Sequence, residues 1–188
     1  MADEQSWLIT GVILCGGKGS RLGGQDKGLI EVAGRPLARH VADTLRPHVQ
    51  SLIIIANRNL DDYKRICPQV YADDSGPYHG PLAGIASALA QVTTPYALIC
   101  ACDMPRLPAQ LIARLWSGMQ RIDADAACVR DPTGLQPFPL LMKTKLLDSA
   151  RQSLATQHYK LGDWLLAQQP AIIDIPETLT NINAPQDL

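Results

Sequence analysis

Thr10-Gly11-Val12-Ile13-Leu14-Cys15 runs without a break into Gly16-Gly17-Lys18-Gly19-Ser20-Arg21-Leu22-Gly23-Gly24-Gln25-Asp26-Lys27-Gly28. The first six residues are a short apolar run with no polar alternation, the pattern of a strand buried on both faces. The loop behind it holds six glycines in thirteen residues, which lets backbone N–H groups approach and surround an anion. Lys18, Arg21 and Lys27 lie in the same stretch and can oppose several phosphate charges. Two common phosphate loops are excluded. A Walker A loop needs Gly-Lys-Ser/Thr, which does not occur in the chain. The dinucleotide fingerprint breaks at its last position, where Gly17-Lys18-Gly19-Ser20-Arg21 is followed by Leu22 instead of glycine.

Outward from this stretch, short apolar runs alternate with longer amphipathic ones. Ser51–Ala56, Gln69–Ala72, Tyr96–Ala101, Ala124–Val129, Pro137–Met142 and Ala171–Ile175 read as strands, the fifth weakened by Pro139. Pro36–His48, Leu60–Ile66, Gly80–Val92, Pro108–Met119 and Leu161–Gln168 read as helices, and Asn181–Pro185 as a polar turn. Strict strand–helix alternation with continuous apolar strands predicts an α/β chain with a mostly parallel central sheet covered on both faces. In such sheets a ligand lies beyond the carboxyl ends of the strands. The 188 residues fit a single domain, and no linker, repeat or low-complexity segment divides them.

Lys plus Arg number 17 against 18 Asp plus Glu, a formal net charge of −1. This balance predicts no general nucleic-acid partner, which would need many spare cations. No apolar run approaches the roughly eighteen residues of a membrane helix, so no membrane partner is expected. Asp3 and Glu4 stand where a secretory signal wants positive charge. The five cysteines are odd in number and lie mostly in apolar runs, as reduced thiols do in a cytoplasmic protein.

Asp103 follows the strand Tyr96–Ala101 and precedes Pro105, so its carboxylate is expected to project into the crevice where phosphates would lie. Magnesium is held by one or two carboxylates with phosphate oxygens and waters completing its shell, which makes Asp103 the candidate metal ligand. Lys27 is the first candidate for contacting a triphosphate, as a mobile point charge, and Arg21 the second. Leu14, Cys15 and Gly16 end the first strand and offer backbone groups to a base, and Gly17 continues into the anion-binding loop. Gly80 and Leu82 open a helix whose free N–H groups suit an anion or a base edge. Cys15 has no histidine in a fitting context to serve as its base, so a nucleophilic role is not expected.

Leu14-Cys15-Gly16-Gly17 followed by Arg21, Gly23 and Lys27 resembles a nucleotidyltransferase signature. Within that superfamily, Gly23 to Gly28 resembles the molybdenum cofactor guanylyltransferase family. The likeness continues through Gly34-Arg35-Pro36-Leu37, Ala56-Asn57-Arg58, Gly80-Pro81-Leu82-Ala83-Gly84, Cys102-Asp103-Met104-Pro105 and Asn181-Ile182-Asn183, in family order over nearly the whole chain. The resemblance implies a three-layer α/β/α, Rossmann-like nucleotidyltransferase fold, with the N-terminal part binding nucleotide and the C-terminal part the acceptor. It implies that backbone atoms of Leu14 to Gly16 read guanine, that Asn57 contacts the nucleoside, and that Mg2+ is the cofactor. Of Asp73 and Asp74, it selects Asp74 as the nucleotide-site aspartate, counted back from Gly80; a turn role stays open. Asn181 and Asn183 would fasten the pterin of the acceptor, or form the turn they flank. The chain departs from the family at Ile55, where many members have asparagine, and in two acceptor-side segments of reduced charge, Arg130–Gln136 and Gln157–Lys160.

The implied reaction is transfer of GMP from GTP to molybdopterin, in its molybdenum-bearing form, with release of pyrophosphate. Implied partners are GTP, molybdopterin and the molybdoenzymes or chaperones that receive the product. The attacking phosphate monoester is already anionic at neutral pH and needs no general base. Two other readings remain open. One is a cytidylyltransferase or sugar-phosphate nucleotidyltransferase. Pyrimidine-using relatives, however, often read Leu-Ala-Ala-Gly at residues 14–17. The other is a non-catalytic nucleotide-binding regulatory module, which would be expected to have lost Lys27 or Asp103.

Overall fold

The computed structural model describes residues 8–15, 25–73, 80–108 and 110–182. The first apolar run forms strand β1 (Ile9–Leu14). A small hairpin follows, β2 (Glu31–Val32) with β3 (Arg35–Pro36), and leads into helix α1 (Leu37–Leu45). Strand β4 (Ser51–Ile55), helix α2 (Leu60–Lys64), strand β5 (Val70–Tyr71), helix α3 (Pro81–Leu89) and strand β6 (Tyr96–Ala101) complete the first half. The second half is helix α4 (Leu111–Arg121), strands β7 (Ala126–Asp131) and β8 (Gly134–Lys143), helices α5 (Leu147–Ala155) and α6 (Leu161–Ala167), and strand β9 (Ala171–Asp174).

Seven strands form one sheet in the order β5-β4-β1-β6-β8-β7-β9. β1 lies between β4 and β6 and runs parallel to both, with Val12 opposite Ile53 on one side and Ile99 on the other. β8 is antiparallel to β6 and to β7, and β9 is parallel to β7, so β8 is the one reversed strand of this sheet.

Side chains alternate across the sheet and both faces are covered, which is why the strands read as unbroken apolar runs. Ile9, Ile13, Ile54 and Leu98 point to one face, where Val41 and Leu45 of α1, Tyr63 of α2 and Leu115 and Met119 of α4 bury them. Val12, Ile53, Ile55 and Ile99 point to the other, against Leu82, Ile85 and Leu89 of α3, Ala150 of α5 and Trp164 of α6. The result is the expected three-layer α/β/α arrangement. Among the described residues no helix is long and apolar enough to cross a membrane.

Besides the β2–β3 hairpin, strict alternation fails at two further places. β7 turns directly into β8 through Asp131-Pro132-Thr133-Gly134, with Gly134 at φ +127°, a chain reversal that these turn residues favour. Pro139 is tolerated inside β8 because residues 137–139 fall where the register with β7 shifts and before the pairing with β6 begins. The second addition is α5, whose face is mostly polar and buries Ala150 alone among its residues, leaving little periodicity to read.

Candidate active site

The chain leaves β1 toward β4 and β5, then returns to place β6 on the opposite side of β1. The order therefore reverses between β1 and β6, and the crevice beyond their carboxyl ends is where open α/β sheets bind ligands. A cleft of about 400 Å³ lies there, within the range of small-molecule sites. Its lining includes the ends of three parallel strands and the residues that follow: Leu14 and Cys15 from β1, Ile55 and Asn57 from β4, and Ala101, Cys102 and Asp103 from β6. The strands stay bonded to their last residues, with Cys15 N–H on Ile55 C=O at 2.8 Å and Cys102 N–H on Leu14 C=O at 3.1 Å. The Cys15 N–H expected to face a base is thus committed to the sheet.

Lys27 and Asp103, 76 positions apart in sequence, meet across the cleft with Nζ 2.6 Å from Oδ2. Lys27 opens a single 3-10 turn over Lys27–Leu29, held by Leu29 N–H on Asp26 C=O. Asp103 leaves β6 in a tight turn, and its own carbonyl accepts the Ile182 N–H at 2.8 Å. The second carboxylate oxygen, Oδ1, is buried without a hydrogen-bond partner among the described residues. A buried carboxylate oxygen left bare costs free energy unless a cation or donor joins it. With Oδ2 on the ammonium and Oδ1 unpartnered among the described residues, the pair offers one cation and one bare carboxylate oxygen, the groups that a phosphate and a metal would need. No group of three or more His, Cys, Asp or Glu among the described residues forms an all-protein metal cage.

Another part of the lining comes from the residues after β5 and the start of α3. Asp73 lines the cleft. Its N–H donates to Asn57 Oδ1 at 2.9 Å, and its Oδ1 accepts the Ser87 hydroxyl of α3 at 2.9 Å. This ladder holds Asn57 on the cleft. Gly80 caps α3 at φ +82°, a left-handed conformation suited to glycine. Pro81 follows at the first helical position. Gly80, Pro81 and Gly84 line the cleft, whereas Leu82 does not. Its side chain points the other way and is fully buried between α3 and the sheet. Asn181 is exposed and lies outside the lining, one residue before the Ile182 that holds the Asp103 carbonyl. Gly16, Gly17, Arg21, Asp74 and Asn183 lie outside the described residues.

Several lining residues were not expected as site residues from the sequence: Ile55, Pro81, Gly84, Ala101 and Cys102 lie close to expected ones in the chain, and Asp73 and Phe138 need separate explanation. Asp73 stands beside Asp74, and nothing in an Asp-Asp doublet marks Asp73 as a lining residue. Phe138 reaches the cleft from β8, a placement that depends on β8 running backwards beside β6. The Cys15 thiol is pushed well up by burial and by its hydrogen bond with Cys102, so it is protonated and no nucleophile at neutral pH.

Residues 11–171 match the family described as MobA-like NTP transferase domain. A molybdenum cofactor guanylyltransferase of Shewanella sediminis is 38% identical over 184 residues, covering 96% of this chain and 94% of that protein. Among solved structures, a molybdopterin-guanine dinucleotide biosynthesis protein A from Archaeoglobus fulgidus superposes with a TM-score of 0.72 at 20% identity, over 95% of this chain and 94% of that one. A Mycobacterium tuberculosis protein solved as a complex with manganese has a TM-score of 0.68 at 15% identity, with 95% of each chain covered. The strand-end cleft, its Lys27–Asp103 pair and these matches lead to one conclusion: the chain belongs to the family of MobA-like NTP transferase domains.

Proposed function

We propose that this chain transfers GMP from GTP to the terminal phosphate of molybdopterin carrying molybdenum, and releases pyrophosphate. The observation that carries the reading is the Lys27–Asp103 pair, one oxygen of the carboxylate held and the other bare, at the strand ends of a chain 38% identical to a named guanylyltransferase. A phosphate oxygen of the acceptor attacks the α-phosphorus of GTP, and the α–β bridging bond breaks, leaving the electron pair on pyrophosphate. The nucleophile brings its own negative charge, so the protein supplies position and charge neutralisation.

Lys27 opposes the triphosphate, which competes with Asp103 for the ammonium. Leu14, Ile55 and Asn57 bound the nucleoside end of the cleft, and Gly80 and Pro81 present the positive end of α3. Asp103 fits a divalent cation through its bare oxygen, and Mg2+ bound there would neutralise charge on the phosphates. The manganese complex of the same fold supports a divalent metal. Asn181 and the segment around it belong to the acceptor side. We place the enzyme in the cytoplasm, handing its product to molybdoenzymes or their chaperones.

Calorimetric titration with GTP, CTP, ATP and UTP, each with magnesium, tests the reading. Selective GTP binding is expected, weakened roughly tenfold or more in Lys27→Ala, and Asp103→Ala should abolish transfer with the fold intact. Preference for CTP would move the chain to the cytidylyltransferases. No binding of any nucleotide, or full activity in Asp103→Ala, would overturn the assignment.

A further inference from the structure

Asp26 stands one residue before Lys27, and its side chain is only 5% exposed. Three groups converge on its carboxylate. The Tyr63 hydroxyl donates to Oδ1 at 2.5 Å, Asn59 Nδ2 donates to Oδ2 at 3.0 Å, and Arg58 Nε lies 3.5 Å from Oδ2. Arg58 also donates to the carbonyl of Gln25 at 2.9 Å. All three partners sit in residues 58–63, the segment that follows β4 and forms α2. Tyr63 is fully buried in the core, so this end of the contact is rigid. Asn57, immediately before this segment, lines the cleft.

A carboxylate this buried is costly unless every donor around it is well placed. The arrangement is therefore specific in geometry, and it lies one peptide unit from the ammonium that meets Asp103. We propose that Asp26 is the positioning residue of Lys27. By tying the phosphate-facing loop to residues 58–63, it gauges the placement of Lys27 from the same piece of backbone that carries Asn57. The nucleoside end and the phosphate end of the substrate are then measured from one segment. This role rests on the reading in which Lys27 meets the triphosphate.

A double-mutant cycle separates positioning from general support. Asp26→Ala is expected to weaken GTP–magnesium binding by about tenfold in the parent protein and by less than about twofold in the Lys27→Ala background, because residues that act through one another are not additive. Equal losses in the two backgrounds overturn the proposal. Tyr63→Phe removes one of the three contacts and keeps the packing, and is expected to lie between parent and Asp26→Ala; it also serves if Asp26→Ala fails to fold. If the parent binds no nucleoside triphosphate, the GTP reading fails by itself and amide exchange decides the positioning role. Asp26→Ala or Tyr63→Phe should speed exchange at residues 27–30 and leave α3 unchanged. Unchanged exchange at residues 27–30 overturns it.

Discussion

Gly28 has no room for a methyl group. A Cβ built on it would lie 2.5 Å from the Tyr63 hydroxyl and 3.2 Å from two carbons of the ring. The ring is enclosed in the core and its hydroxyl is held by Asp26, so it cannot swing aside without giving up that bond. Gly28→Ala is expected to lower stability by about 1–3 kcal/mol, read from urea unfolding; a variant as stable as the parent would show that the tyrosine yields freely. At this scale the sequence shows Asp26-Lys27-Gly28 as a landmark and Asp103 as a strand-end carboxylate. It does not show that Asp26 closes on Arg58, Asn59 and Tyr63, because those partners are more than thirty positions away and follow no periodic rule. Asp73 was illegible for a simpler reason. Its neighbour Asp74 has the same chemistry, so the sequence alone does not mark Asp73 as a lining residue.

Asp131 shows what one side chain does for an element. It is buried at the β7–β8 turn, where its Oδ1 accepts the Thr133 hydroxyl at 2.6 Å, the Thr133 N–H at 2.8 Å and Gln136 Nε2 at 3.1 Å. Its Oδ2 accepts the Leu179 N–H at 3.0 Å, pinning the C-terminal segment whose Ile182 holds Asp103. The Thr133 hydroxyl bond comes first among the causes that hold this carboxyl down at about 2. Because the folded value lies below the ordinary one near 3.8, the stabilisation is complete above about pH 4 and fades as the pH falls toward 2. Asp131→Asn should therefore melt roughly 3–6 °C lower at neutral pH, and the gap should close on acidification through that window. A gap that stays constant down to pH 2 would contradict the assignment. The hairpin itself was only half legible. Both strands are visible as apolar runs, but their opposed direction rests on a four-residue turn that also suits a loop.

Across the whole molecule, the alternation of strand and helix was enough to specify layers, because each continuous apolar strand requires cover on both sides. The order of the strands was not, since it is decided by which helix crosses which face. The five cysteines are divided between the two apolar layers and all are buried and free. Burial alone pushes the Cys100 thiol up to about 12, and it is the first cause raising Cys128 to about 11. At pH 8 the Cys100 and Cys128 thiols are protonated and all five cysteines are buried, so a thiol reagent is expected to label the native protein only slowly and all five sites after unfolding. Rapid labelling of the folded protein would show that a layer opens.

The reversed strand carries a further consequence for a chain made from its N-terminus. β1, β4, β5 and β6 find all their parallel partners within residues 9–101, so this quartet can assemble as soon as it leaves the ribosome. β7 emerges with neither of its neighbours yet made, since β8 and β9 both follow it. The part of the cleft lined by Leu14, Ile55, Asn57 and Ala101 is thus built early in synthesis, and the wall that brings Phe138 beside it is built late.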